Sequence, residues 1–243
     1  MEAVIQVEQL CKSYGGVPAV ENINLTVMRG TVFGLLGANG AGKSTTIECI
    51  LGTKRQDGGR VSILSLNPQT ERKRVFEKIG VQFQEANYQD KITVIELCEV
   101  THSLYTSAAD YMVLLKQFGL SDKSKSLVSE LSGGQRQRLF IILALIPNPE
   151  IVFLDELTTG LDAKARREVW NFLSKLKANG LTIFLTSHFM DEVEALCDEI
   201  CILKQGKSIF TGTVREAIKA SPFERLEDAY LWYTEEEKED ENI

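Results

Sequence analysis

A glycine-rich loop between an apolar strand and a helical segment is the feature that most constrains the fold of this chain. Residues 31–36 read as a buried strand, residues 37–45 as Gly-Ala-Asn-Gly-Ala-Gly-Lys-Ser-Thr, and residues 44–51 as a helix. Such glycines let backbone N–H groups point inward around a phosphate, and the positive end of the helix adds to the attraction. The spacing therefore predicts a phosphate-binding loop. Its predicted members are Gly37, Asn39, Gly40, Ala41, Gly42, Lys43, Ser44 and Thr45.

Two further groups predict ATP and Mg²⁺ as the ligands of this loop. Lys43 supplies a positive charge for the β- and γ-phosphates, and the Ser44 hydroxyl is a Mg²⁺ ligand in this motif. Residues 151–154 form an apolar strand that ends in Asp155 and Glu156. Ligands of open α/β sheets bind at the carboxyl ends of the strands. We therefore expect Asp155 to hold Mg²⁺ through water, and Glu156 to accept a proton from the attacking water or to polarise it.

Short apolar strands alternate with helical segments, which predicts an α/β fold, a P-loop NTPase with a mostly parallel sheet. The segments before the loop alternate apolar and polar residues, as in an antiparallel N-terminal β layer. Helix-length segments replace strands over residues 85–130, which indicates an inserted helical subdomain. The predicted buried strands are residues 31–36, 151–154, 181–186 and 199–203, the antiparallel segments 4–7 and 23–27, and the clearest inserted helices 94–104 and 110–118.

The chain is expected to form one nucleotide-binding domain over residues 1–220, followed by a C-terminal helix over 221–233. Apolar residues recur in that helix at three- and four-residue spacing and are expected to pack on the core. They are Phe223, Leu226, Tyr230 and Tyr233. Residues 234–243 carry most of the net charge of −7 and are expected to form a disordered acidic tail.

Composition and patterning argue against a membrane span and a disulfide framework. The longest nearly unbroken apolar run, residues 139–146, is far shorter than the roughly 20 residues that a spanning helix needs, and residues 1–10 do not resemble a signal peptide. The spacings of the five cysteines do not match a disulfide framework, so we expect reduced thiols. Cys197 and Cys201 are expected to be packing residues rather than zinc ligands, because the chain has only two histidines and neither is spaced as a partner.

Residues 131–135, Leu-Ser-Gly-Gly-Gln, resemble the signature of ATP-binding cassette (ABC) proteins. Ser132 is expected to cap a helix over residues 135–145, and the glycines let backbone N–H groups approach a phosphate. The resemblance assigns all of Leu131, Ser132, Gly133, Gly134 and Gln135 to a lid that closes on the ATP of a partner molecule.

Other positions match ABC elements in the order of that family, and the resemblance implies their roles. Tyr14 would stack on adenine, and Gln84 would reach Mg²⁺ and the attacking water, with Gln82 as the alternative. Leu161 and Asp162 would couple the two sites of a dimer, and His188 would contact the γ-phosphate. Where the family most often has proline after the catalytic glutamate, this chain has Leu157, which should loosen the turn without removing a catalytic group.

One phosphate loop and one signature in the chain imply that a complete site needs a second copy or a related ATPase subunit. The resemblance further implies an integral membrane permease as partner and a peripheral position on the cytoplasmic face of the membrane. Residues 187–198 and 226–230 resemble the prokaryotic branch that exports drugs, antibiotics or polysaccharides. The alternatives are an ABC ATPase in a non-transport assembly and a nucleotide-gated module with little turnover. No basic stripe indicates nucleic-acid binding.

Overall fold

The structure of the chain is a computed structural model that describes residues 2–82, 88–156, 158 and 160–235. Among these residues, no helix combines the length and the apolar character needed to cross a membrane. The helices and strands are, in chain order, β1 (Ala3–Tyr14), β2 (Val17–Met28), β3 (Val32–Gly37), α1 (Lys43–Ile50), β4 (Gly58–Ile63), α2 (Arg72–Phe76), β5 (Ile79–Gln82), α3 (Val94–Ser103), α4 (Tyr111–Gln117), α5 (Gly133–Leu145), β6 (Ile151–Asp155), α6 (Ala163–Ala178), β7 (Thr182–Ser187), α7 (Met190–Leu196), β8 (Glu199–Lys204), β9 (Lys207–Thr213), α8 (Val214–Lys219) and α9 (Leu226–Thr234).

The described strands form two sheets. The central one has six strands in the order β5-β6-β7-β3-β8-β9, all parallel except β9, which pairs antiparallel with β8. The other has three antiparallel strands in the order β2-β1-β4. These sheets confirm the predicted α/β fold with its mostly parallel sheet and its N-terminal antiparallel layer.

The central sheet is buried on both faces, as its continuous apolar strands require. On one face, the Phe184 ring lies 5.4 Å from that of Phe33 and 5.3 Å from that of Phe153, measured between centroids. These rings belong to a core cluster that also contains side chains of the antiparallel sheet and α1. On the other face, Val152 and Leu185 pack in a cluster with residues of α5 and α6. The sheet thus separates an antiparallel layer from a helical layer.

The inserted helical subdomain is confirmed, and its first two helices lie close to their predicted bounds. Thr93 caps α3 and forms a capping box with Glu96. Asp110 caps α4, where its carboxylate accepts the Met112 N–H at 2.8 Å. Both caps satisfy N–H groups that a helix start leaves without intrahelical partners.

The C-terminal helix starts later than the sequence predicts, at Leu226 instead of residue 221. The Ser221 hydroxyl instead accepts the Phe223 N–H at 3.2 Å in a local turn, and the Glu194 carboxylate accepts the Leu226 N–H at 2.9 Å. Leu226 is buried, while Tyr230 and Tyr233 pack beside it against the core. Phe223, expected on the same face, is exposed. Most of the predicted acidic tail, residues 236–243, lies outside the described residues.

Candidate active site

The glycine-rich loop connects β3 to α1 and is held by the backbone of two other elements. Gly42 is the N-cap of α1 and has a φ of 102°, a conformation that glycine adopts readily. A Cβ on Gly42 would lie 2.5 Å from the carbonyl oxygen of Ala19 in β2. In the turn between β8 and β9, Gly206 donates its N–H to the Ala41 carbonyl at 3.0 Å and accepts the Glu21 N–H at 2.7 Å. The shape of the loop is therefore fixed by its own protein neighbours.

We expect Gly42→Ala to weaken ATP binding at least about tenfold and to lower the free energy of unfolding by about 1–3 kcal/mol. The side chain would be strained at this φ, and its Cβ would overlap the Ala19 carbonyl. Gly180→Ala is the matched control, because Gly180 has a φ of 91° but nothing within 4 Å of an added Cβ. ATP titration and thermal unfolding of both variants test this expectation. Equal losses in the two variants would contradict a specific effect of the overlap with Ala19.

Lys43, the first residue of α1, is folded back against the loop. Its side chain is buried, and its ammonium donates to the carbonyl oxygens of Gly37 at 2.8 Å and Ala38 at 3.3 Å. Burial lowers the pKa of Lys43, and the negative charges of Glu156 and Asp155 act in the opposite direction. The ammonium is thus placed to exchange two carbonyl contacts for phosphate oxygens.

Asp155 and Glu156 lie at the carboxyl end of β6, where Thr186 of the neighbouring strand β7 contacts both. The Thr186 hydroxyl donates to Asp155 Oδ1 and accepts the Glu156 backbone N–H at 2.9 Å. Burial raises the pKa of Asp155, and the hydrogen bond from Thr186 opposes this shift. Glu156 has a φ of 48°, a left-handed conformation that is uncommon outside glycine. No sequence motif predicts this role of Thr186, which lies on a different strand from Asp155 and Glu156.

The Glu156 carboxylate lies between two basic side chains. Its Oε1 atom is 3.9 Å from Lys43 Nζ and 3.7 Å from His188 Nδ1. The Glu156 side chain is 12% exposed and that of His188 is 40% exposed. His188 directly follows β7, which brings it to the same edge of the sheet as Glu156. Three residues predicted to be catalytic are therefore close together.

An open cleft of about 360 Å³ lies beside Glu156 and the loop; its lining residues are Ala19, Asn39, Gly40, Gly42, Lys43, Ser44, Thr45 and Glu156. Tyr14 is outside this lining, in the last position of β1. Its ring is half-exposed, and the ammonium groups of Lys12 and Lys54 lie 5.5 and 5.4 Å from the ring centroid. The structure thus joins the loop and Glu156 in one cleft and leaves Tyr14 as a separate, exposed aromatic surface.

Residues 131–135 include the start of α5. In the part of the chain that the structure describes, none of them lines the cleft. Ser132 is the N-cap, as predicted: its hydroxyl accepts the Gln135 N–H at 3.3 Å, and the Gln135 side chain accepts the Ser132 N–H at 3.0 Å. Gly134 packs closely on α6, because a Cβ there would lie 3.2 Å from the Ala165 Cβ. The signature segment therefore packs on α6 and does not line the cleft.

Leu161 and Asp162 precede α6 and face opposite ways. Leu161 is buried in the cluster that contains residues of α5. Asp162 is exposed and caps α6, with its Oδ1 accepting the Ala165 N–H at 2.8 Å. Of this pair, Asp162 is the one at the surface.

Two positions that bear on the site, Gln84 and Leu157, lie outside the described residues. Gln82, the alternative to Gln84, is the last residue of β5 and is buried.

Residues 20–159 match the sequence profile of the family described as "ABC transporter". The chain belongs to the ABC transporter family. Nod factor export ATP-binding protein I from Ralstonia nicotianae is 38% identical over 220 residues, which cover 88% of this chain and 68% of that protein. A fluoroquinolones export ATP-binding protein from Mycobacterium tuberculosis is 40% identical over 209 residues, which cover 85% and 69%.

The solved structure of an ATP binding subunit of an ABC transporter has the same fold. It matches this chain with a TM-score of 0.87 and 26% sequence identity, over 96% of this chain and 100% of that one. The chain is thus an ATP-binding subunit of the ABC transporter family and an ATP hydrolase, as the signature and the phosphate loop predict.

Proposed function

We propose that this ABC subunit drives export by hydrolysing ATP in a head-to-tail dimer attached to an integral membrane permease. The observation that carries the catalytic part is the position of the Glu156 carboxylate, between Lys43 and His188 and in the lining of the cleft. The names of the two relatives, both export ATP-binding proteins, support the direction of transport.

The cleft would bind the triphosphate of ATP. Backbone N–H groups of the loop and the start of α1 would surround the β-phosphate, and Lys43 would contact the β- and γ-phosphates. Tyr14 would stack on adenine, since its ring is half-exposed. Of these two side chains, Lys43 lines the cleft, whereas Tyr14 belongs to the separate exposed surface at the end of β1.

The oxygen donors at the site fit Mg²⁺, which prefers carboxylate, hydroxyl and water ligands. The Ser44 hydroxyl lines the cleft, and the Asp155 carboxyl precedes Glu156 at the end of β6. With Gln84, these residues would hold the ion, directly or through water. Bound there, Mg²⁺ would neutralise charge on the β- and γ-phosphates.

Glu156 would act as the general base for the attacking water, and His188 would contact the γ-phosphate. In this structure Glu156 faces both Lys43 and His188. If Lys43 and His188 turned to the phosphates, the Glu156 carboxylate would lie next to the attacking water. The Glu156 backbone N–H would stay hydrogen-bonded to Thr186, so the edge of the sheet would hold the backbone from which the Glu156 side chain projects.

The second half of the site would come from the signature of the partner, which is either a second copy or a related subunit. In the Ser132 cap, the hydroxyl oxygen accepts a hydrogen bond, so the hydroxyl proton is available to a γ-phosphate. Gly133 and Gly134 begin α5, where N–H groups and the helix dipole attract an anion. Asp162, at the surface, would contact the partner. ATP would thus hold two molecules together, and hydrolysis would release them.

A permease would keep the subunit at the cytoplasmic face of the membrane. The test is co-expression with a six-helix membrane protein encoded by the neighbouring gene, followed by purification in detergent. We expect a stable complex whose ATP turnover responds to the transported substrate. Failure to bind any such membrane protein, with ATPase activity intact, would instead favour the non-transport assembly.

A further inference from the structure

A buried carboxylate on α7 connects the elements that carry the site. Glu192 is 2% exposed, and the Trp170 indole N–H of α6 donates to its Oε1 at 3.1 Å. Carboxylates this buried are rare unless other groups pair with them. Burial raises the pKa of Glu192, while Ser187, Thr158 and Trp170 and the charge of Arg166 act in the opposite direction.

The groups that lower the pKa of Glu192 come from three segments of the site. Thr158 is two residues beyond Glu156, and Ser187 directly precedes His188. Arg166 and Trp170 lie one turn apart on α6, the helix that Asp162 caps. The hydrogen bond from Trp170 therefore ties α7, the helix that follows His188, to the helix after the inter-site loop.

A second contact, made by Arg166, joins α6 to the His188 segment. The Arg166 guanidinium lies 4.3 Å from the centroid of the Phe189 ring, and the Phe189 and His188 ring centroids are 4.2 Å apart. Arg166 also pairs with Asp191 at 3.2 Å. A guanidinium over an aromatic face is favourable and fixes the orientation of the ring. The His188 ring thus lies beside a stacked pair held by α6.

We propose that Arg166 and Glu192 are positioning residues that hold the His188 segment on α6, so that movement of Asp162 on dimer closure is passed to the His188–Glu156 pair. This inference rests on the proposed roles of His188 and Glu156. Neither positioning residue is expected to contact nucleotide. Each acts through His188, whose distance from Glu156 depends on where α6 holds it.

The test compares Arg166→Met and Glu192→Gln in the natural chain and in a His188→Ala background. Met keeps the packing of the Arg stem but lacks the guanidinium, and Gln keeps the shape of Glu without its charge. Arg167→Met is the matched control, because Arg167 is the next residue on α6 and is exposed. We measure kcat and KM for ATP together with the midpoint of thermal unfolding.

In the natural chain, we expect each variant to lower kcat about tenfold or more and to change KM less than about threefold, because small displacements of a catalytic group are costly. In the His188→Ala background, the further loss should be below about twofold, since the pathway through His188 is already removed. Arg167→Met should match the natural chain.

Three results would overturn the inference. One is unchanged kcat in both Arg166→Met and Glu192→Gln while His188→Ala is impaired. Another is an equal fold-loss in the natural and His188→Ala backgrounds, which would show that the variants act independently of His188. The third is unchanged turnover in His188→Ala itself, which would refute the proposed role of His188 and this inference with it. If Glu192→Gln fails to fold, the Arg166→Met cycle decides, because the Arg166 side chain is 21% exposed whereas Glu192 is 2% exposed.

Discussion

Glu156→Gln is expected to lower ATP turnover by about a hundredfold to ten-thousandfold, the range that a general base contributes, while ATP binding is kept. The amide has the size of the carboxylate but does not accept a proton at neutral pH. The substitution also removes the negative charge that lies 3.9 Å from Lys43 Nζ and 3.7 Å from His188 Nδ1. Both basic groups would then be more available to phosphate, so the ATP-bound dimer should accumulate.

Two measurements check this expectation: single-turnover hydrolysis, and the molecular mass in solution with ATP and Mg²⁺. Glu168→Gln is a suitable control, since Glu168 is an exposed carboxylate on α6 that pairs with Arg138 outside the cleft. The control should hydrolyse ATP as the natural chain does. Unchanged turnover in Glu156→Gln would remove Glu156 as the base. Loss of turnover with no ATP-dependent dimer would contradict the closure mechanism and leave the base in place.

Mixing two inactive variants is expected to restore activity if each site is built from two chains. Lys43→Ala removes the phosphate contact of the loop, and Ser132→Asp places a negative charge in the signature while keeping a good N-cap residue. Each variant alone should be nearly inactive, because every site in its dimer lacks one half. In an equal mixture, half of the dimers are mixed and each has one intact site, so turnover should rise to about a quarter of the natural value.

The informative control for the mixture is Ser132→Asn, which also keeps the cap but adds no charge. We expect it to stay much closer to the natural chain than Ser132→Asp, because repulsion of the γ-phosphate is the main effect of the aspartate. A mixture no more active than its two components, under conditions where they associate, would indicate a site completed within one chain.

Much of the architecture could be predicted because its strands are short, apolar and bounded by clear turn signals. Residues 31–36, 151–154, 181–186 and 199–203 correspond within one residue at each end to β3, β6, β7 and β8. By contrast, β4 and β9 had no such pattern. In β4 the first three residues are at least partly exposed, and β9 is an edge strand with no fully buried residue. β4 and β9 therefore lack the continuous apolar run by which a buried strand is recognised in sequence.

The same distinction applies to the site. The loop, Asp155 and Glu156 could be predicted because each motif is contiguous and its chemistry depends on adjacent residues. Contacts made across the fold could not. Thr186 hydrogen-bonds Asp155 and Glu156 from another strand, and Gly206 binds Ala41 from a distant turn. Sequence spacing contains no direct signal for such pairs, which exist only after the sheet has formed.

The backbone contacts that hold the phosphate-binding loop have a consequence for which ligands the site can bind. Gly42 abuts Ala19, and β2, the strand of Ala19, begins at Val17, which pairs with Tyr14. The β1–β2 hairpin therefore sets the backbone separation between Tyr14, the proposed base contact, and the phosphate-binding loop. The site would therefore select ligands by their length. Inorganic triphosphate would fill one end, a nucleoside without phosphates the other, and only a complete nucleotide would span both.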